Sequence, residues 1–137
     1  MSFPTDLKWF SAGEFRNPDL LDPAFLYFLD SVRSRAGFPL VITSDARTLE
    51  QEIALPAHAE PPESSLHVAA PLARAVDLAW IGDPVGRWKF ERAVFATADA
   101  LGVSVELEHE FPGEAHHHLG LFRDNRPSRL LLTFLEK

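Results

Sequence analysis

The sequence predicts an α+β fold: one domain over residues 1–137 with a small antiparallel sheet flanked by helices. Three observations carry this. Two segments bear helix signals at both ends, short runs between and after them have the apolar patterning of strands, and no linker, repeat or low-complexity tract divides the chain.

The first helix lies in "NPDLLDPAFLYFLDSVRSRAG", residues 17–37. Asp22 is placed to cap it, Pro23 suits its first position and Gly37 ends it. Leu21, Phe25, Phe28, Leu29 and Val32 recur at helical spacing and form one buried face. "FPLVIT" reads as a short buried strand that runs into the loop "SDART". Thr48 and Gln51 have the spacing of a capping box and predict a helical turn in "TLEQEIAL". Residues 55–66, "LPAHAEPPESSL", form a long Pro-rich loop, a length that often accompanies function. In "RAVDLAWI" the residues Val76, Leu78 and Trp80 alternate with Ala75, Asp77, Ala79 and Ile81, so Asp77 points away from the apolar face. "DPVGRWKFERAVFATADALG" is a second helix, capped by Asp83, started by Pro84 and stopped by Gly102. "VSVELE" and "HHLGLF" are two more strands, joined by the loop "HEFPGEA".

Composition narrows the function classes. At 46% hydrophobic residues, eleven of them Phe, the chain has ample material for one core. The net charge of −7, with scattered basic residues, argues against unaided nucleic-acid binding. No window reaches the length of a membrane span, and the first ten residues carry no signal-peptide pattern, so the expectation is synthesis in the cytoplasm without membrane insertion. A monomer is expected.

With no cysteine in the chain, a metal can be held only by His, Asp or Glu. His67 follows the Pro-rich loop, Asp77 sits in a strand, and "HHH" at residues 116–118 opens the last strand. Neighbours on a strand point to opposite faces, so the run cannot offer three ligands to one ion. A His-Asp-His set leaves the fourth zinc position open for water, the arrangement of a hydrolytic site. Glu114, three residues before His117, is placed to take a proton. His109, between two glutamates, reads as solvated, and Trp9, Trp80 and Trp88 read as core.

Taken in order, "ITSDART", "SSLH", "ARAVDL" and "EAHH" resemble the motifs of the zinc D-alanyl-D-alanine carboxypeptidases and related phage endolysins and dipeptidases. The resemblance implies a zinc-peptidase-like domain that hydrolyses a peptide bond in D-amino-acid-containing cell-wall peptides. It implies Zn²⁺ held by His67, Asp77 and His117, with Glu114 as the catalytic general base. Arg47 would bind or polarise the substrate, and Ser65 would line its pocket. The register of the last ligand is open. Alternation favours His117, which shares a strand face with Leu119 and Leu121. In a His-x-His variant, His118 would bind the metal and His116 would assist the water. Asp45 stands where relatives carry glycine in the first motif, a mild change because Asp tolerates tight turns. The His67-to-Asp77 step is longer than in most relatives, and Ala70 or Ala73 stands where they carry a glycine after the first ligand. These last two departures motivate a second reading, a catalytically silent member serving as a phage structural or cell-wall-binding module. A wall peptidase without a signal peptide is easiest to understand as phage- or prophage-encoded, a cytosolic dipeptidase being the other option, and its partner would be a peptidoglycan peptide.

Overall fold

The computed structural model describes residues 3–57 and 59–135. His58, in the Pro-rich loop, lies outside the described residues. Helix α1 spans Pro23–Ala36, strand β1 Ile42–Ser44, the short helix α2 Leu49–Ile53, strand β2 Ala75–Ala79, helix α3 Pro84–Leu101, strand β3 Val105–Pro112, strand β4 His116–Leu121 and strand β5 Arg129–Leu135. Single 3-10 turns cover Ala12–Glu14, Pro18–Leu20 and Pro62–Ser64.

The helix boundaries have the chemistry expected of them. Asp22 accepts a hydrogen bond from Ala24 N, and Asp83 accepts from Val85 N and Gly86 N, satisfying amides that a helix start leaves bare. Both helices close on a glycine in the left-handed region, φ 82° at Gly37 and 66° at Gly102, where a side chain would be strained. Thr48 and Gln51 form the capping box that starts α2.

The five strands form one sheet in the order β1-β2-β4-β3-β5. Three neighbouring pairs are antiparallel, but β5 runs parallel to β3, so the sheet is mixed rather than antiparallel throughout. Strand β5 was not expected. Its "RLLLTFL" sequence has a run of leucines instead of alternation, and only pairing with β3 makes it a strand. The fold class stands as α+β.

One face of the sheet carries Val76, Leu78, Val105, Leu107, Leu119 and Leu121, all buried. Phe25, Phe28, Leu29 and Val32 of α1 and Phe90 and Val94 of α3 complete the core with them. Burial of roughly 1.5–3 kcal/mol per large apolar side chain makes this face the main source of stability. The opposite face is polar. Ala75, Asp77 and Ala79 of β2 lie across from Gly120, His118 and His116 of β4, which lie across from Glu106, Glu108 and Glu110 of β3. No helix among the described residues is long and apolar enough to cross a membrane.

Candidate metal centre

The loop bearing His67 lies on the polar face. Leu66 O accepts from Arg74 N at 2.8 Å, and Arg47 pairs with Val68 through His67 O at 2.7 Å and Ala69 N at 2.9 Å. The loop can sit this low because Gly120 has no side chain. A Cβ there would meet Leu66 Cδ1 at 2.8 Å, with Ala75 Cβ and Arg74 O both at 3.2 Å.

This packing brings three donors together. His67 Nε2 stands 3.1 Å from His118 Nδ1 and 3.3 Å from Asp77 Oδ1, and His118 Nδ1 stands 3.4 Å from that same oxygen. Zinc bonds of about 2.0–2.1 Å in a tetrahedron give ligand-to-ligand edges of about 3.3–3.4 Å, so the three atoms have the size of one zinc face. Among the described residues, His67, Asp77 and His118 are the one group of His and acidic side chains with this convergence.

The remaining nitrogens fix the tautomers. His67 Nδ1–H donates to the Asp45 carbonyl at 2.9 Å, and His118 Nε2–H donates to Glu106 Oε1 at 3.0 Å. Each outward bond leaves the inner nitrogen, His67 Nε2 or His118 Nδ1, to the centre, as outer partners do at histidine metal sites. Glu106 in turn accepts from Arg129 Nε at 2.6 Å. Asp45 is itself buried, and its carboxylate accepts from Arg16 N at 2.8 Å and Asn17 N at 3.0 Å, which ties the N-terminal segment to the loop that orients His67. Neither Asp45 nor Glu106 was singled out as a site residue from sequence. Only Asp45's place in "TSDAR", where relatives have glycine, marked it as unusual.

Without an ion, the convergence is electrostatically loaded. Burial works to raise the Asp77 carboxyl, but hydrogen bonds from His118 and His67 outweigh it and hold the group far below the usual carboxylate range. Burial likewise opposes charge on His118, yet its bonds to Asp77 and Glu106 push it up to about 9. The His118 hydrogen bond, opposed by burial and aided by Arg129, draws Glu106 down to about 2. The protonated form of His118 is thereby favoured at neutral pH.

His117 is not part of this group. It is fully buried on the helix face, stacked on Trp80 at a ring separation of 4.6 Å and packed against Phe90. Its Nε2 accepts from Ile81 N at 3.0 Å, so its Nδ1–H donates to His109 Nδ1 at 2.8 Å, and His109 Nε2–H donates to Glu91 at 3.2 Å. Burial, followed by the His109 and Arg87 charges, pulls His117 down to about 3, keeping it neutral. The structure brings His118, and not the expected His117, to His67 and Asp77. The reason is parity: Leu119 and Leu121 face the helices, and a residue sharing their phase cannot share a face with Asp77. The same parity buries His109, which was expected in solvent. Trp9 and Trp88, expected in the core, are 41% and 56% exposed.

The other expected site residues are distributed as follows. Glu114 is exposed in the turn between β3 and β4, and its backbone carbonyl accepts from His116 Nδ1 at 2.9 Å. His116 lies on the polar face with Asp77 and His118, its Nε2 2.6 Å from Glu110 Oε2. Burial raises the Glu110 carboxyl, while His116 is raised against burial by the Glu114 carbonyl and the Asp77 and Glu110 charges. Arg47 Nε is bound at 3.0 Å to Glu52, a buried carboxylate that also accepts from Ala59 N and so braces the Pro-rich loop. Ser65 Oγ accepts from His67 N at 3.3 Å and lines a cleft of about 520 Å³ that reaches His118.

Comparison with known proteins gives no matching family model, no matching curated protein and no matching solved structure.

Proposed function

We propose that this chain is a zinc-dependent hydrolase of peptide bonds, with His67 Nε2, Asp77 Oδ1 and His118 Nδ1 holding the ion. The observation that carries the reading is the triangle of 3.1, 3.3 and 3.4 Å, each of whose histidines is turned inward by an outer acceptor. Zinc, when bound, supplies a Lewis acid that lowers the pKa of a coordinated water and polarises a carbonyl.

The chain's own groups orient the donors and handle the proton. The Asp45 carbonyl and the Glu106 carboxylate fix the ring planes of His67 and His118. His116 lies two residues from His118 on the same strand face, about 7 Å along β4. Glu110 and the Glu114 carbonyl grip both of its ring nitrogens, which holds a proton at Nε2 for transfer. We therefore assign the proton carrier to His116 with Glu110, and Glu114 contributes its carbonyl. This is the His-x-His form of the resemblance to the zinc D-alanyl-D-alanine carboxypeptidases, and that resemblance supports wall peptides containing D-amino acids as the substrate class.

The test pairs metal analysis of the purified chain with mass spectrometry of peptidoglycan fragments incubated with it. The expected result is one zinc per chain and cleavage that disappears in His67→Ala. Failure to bind zinc on reconstitution sinks the proposal. Zinc without cleavage of any wall peptide favours the silent, binding-module reading.

A further inference from the structure

The cleft that reaches His118 has a wall of arginines. The turn joining β4 to β5 contributes Arg123 and Arg126, β5 opens with Arg129, and all three line the cleft with Ser65, Glu106 and Asp124. Such clustering stands out in a chain of net charge −7. Arg126 and Arg129 both lie over the ring of Phe122, at 4.7 and 5.6 Å from its centroid, so one aromatic ring positions two guanidiniums.

The three arginines have different commitments. Arg123 donates to Val68 O at 2.8 Å and Leu72 O at 3.2 Å, which ties the turn to the chain just after His67. Arg129 is spent on Glu106, the partner of His118. Arg126 gives its side-on edge, Nε and Nη2, to Asp124, both bonds 2.7 Å. That pair is more than half exposed, so it is weak, and a guanidinium keeps a second, end-on edge for another oxyanion. Asp124 and Glu106 oppose an incoming anion, but the guanidiniums outnumber them on this wall.

We infer that the β4–β5 turn forms an anion subsite led by Arg126, so that the cleft beside the three converging donors takes a ligand bearing a carboxylate or phosphate. The inference rests on the proposed hydrolytic reading for its meaning as a substrate subsite. The anion site itself stands on the cleft. It also shifts substrate recognition from Arg47, which is engaged with Glu52, to the far end of β4.

The test is calorimetric titration of the zinc-reconstituted chain with N-acetyl-alanyl-alanine as free acid, with its C-terminal amide, and with inorganic phosphate. The free acid is expected to bind roughly tenfold tighter than the amide, and Arg126→Gln to bring the two within about twofold, the size of a lost charge-assisted contact. The zinc content of Arg126→Gln should equal that of the wild type. Phosphate that displaces the acid from the wild type, and fails to bind Arg126→Gln, supports a subsite for oxyanions in general. Equal binding of acid and amide, a preference that survives in Arg126→Gln, or no binding of any of the three probes overturns the inference. An acid preference in a chain that cannot be loaded with zinc retains the anion subsite and removes the hydrolytic reading.

Discussion

His67 Nε2 and His118 Nδ1 face each other at 3.1 Å although 51 positions separate them in sequence. Both rings send their other nitrogen outward, to the Asp45 carbonyl and to Glu106, so the two inner nitrogens need a shared cation between them. Asp77 and Glu106 raise His118 to about 9, which favours its protonated form at neutral pH.

Replacing His118 should remove the metal, and replacing His117 should not. His118→Ala is expected to weaken zinc binding at least about 100-fold, since it deletes one of three donors. His117→Ala should keep zinc at one equivalent while costing about 2–4 kcal/mol of stability, from a buried cavity and the orphaned Ile81 N–H. Chelator competition and denaturant unfolding on both variants separate the two outcomes. The reverse pattern would restore His117 as the ligand.

Zinc affinity should climb with pH. His118 in the metal-free chain is raised from its ordinary 6.5 to about 9, so binding at neutral pH expels a proton. Affinity is expected to rise about tenfold per pH unit through neutrality and to level off above about 9. The linked stability has the opposite sense. A raised histidine stabilises the fold fully below 6.5 and loses that contribution as pH rises through about 9, so the metal-free chain should soften over that window more than the zinc-loaded chain does. Thermal melts of both forms across pH 6–10, with parallel zinc titrations, check the two slopes.

Filling the space at Gly120 should damage the site from beneath. An added Cβ meets Leu66 Cδ1 at 2.8 Å and backbone at 3.2 Å, and Leu66 belongs to the loop that carries His67. Gly120→Ala is expected to cost about 1–3 kcal/mol, as overpacking does, and Gly120→Val more. Both should weaken zinc binding although neither touches a ligand. Unchanged zinc affinity in Gly120→Val would show that the loop does not depend on this contact.

Proton handling should follow His116 and Glu110. If wall peptides are cleaved, His116→Ala is expected to lower kcat by about 10²–10⁴ with zinc retained, and Glu110→Gln to lower it by a smaller factor and alter its pH profile. Glu114→Gln keeps the backbone carbonyl that binds His116, so near wild-type turnover is expected. A large loss in Glu114→Gln alone would return the base to that carboxylate.

Local chemistry made much of the fold legible. The Asp-Pro starts and glycine ends of α1 and α3, the Thr48–Gln51 capping box and the alternation of β2 all act within a few residues. The face of Asp77 was legible too, from Val76, Leu78 and Trp80. On β4 the same alternation separates His117, in phase with Leu119 and Leu121, from His116 and His118, but it does not say which of the two faces Asp77 shares. The expectation of His117 takes the leucine face as the cleft floor, whereas both helices pack on it. Strand β5 was hidden because its leucine run lacks a period.

By itself the sequence determined the two long helices, the two faces of β2 and the restriction of any metal to histidine and carboxylate. It also marked His67, Asp77 and the histidine run as the places to look. Tertiary structure alone decided which histidine completes the set, because selection among 116, 117 and 118 depends on which sheet face the helices cover. It also decided the outer partners. Asp45, Glu106, Glu110 and the arginines of the β4–β5 turn reach the site from distant positions, through the antiparallel pairing of β4 with β2 and β3, the parallel pairing of β3 with β5, and a loop lowered onto Gly120. Local propensity carries no information about such contacts, since their geometry exists only once the sheet is assembled.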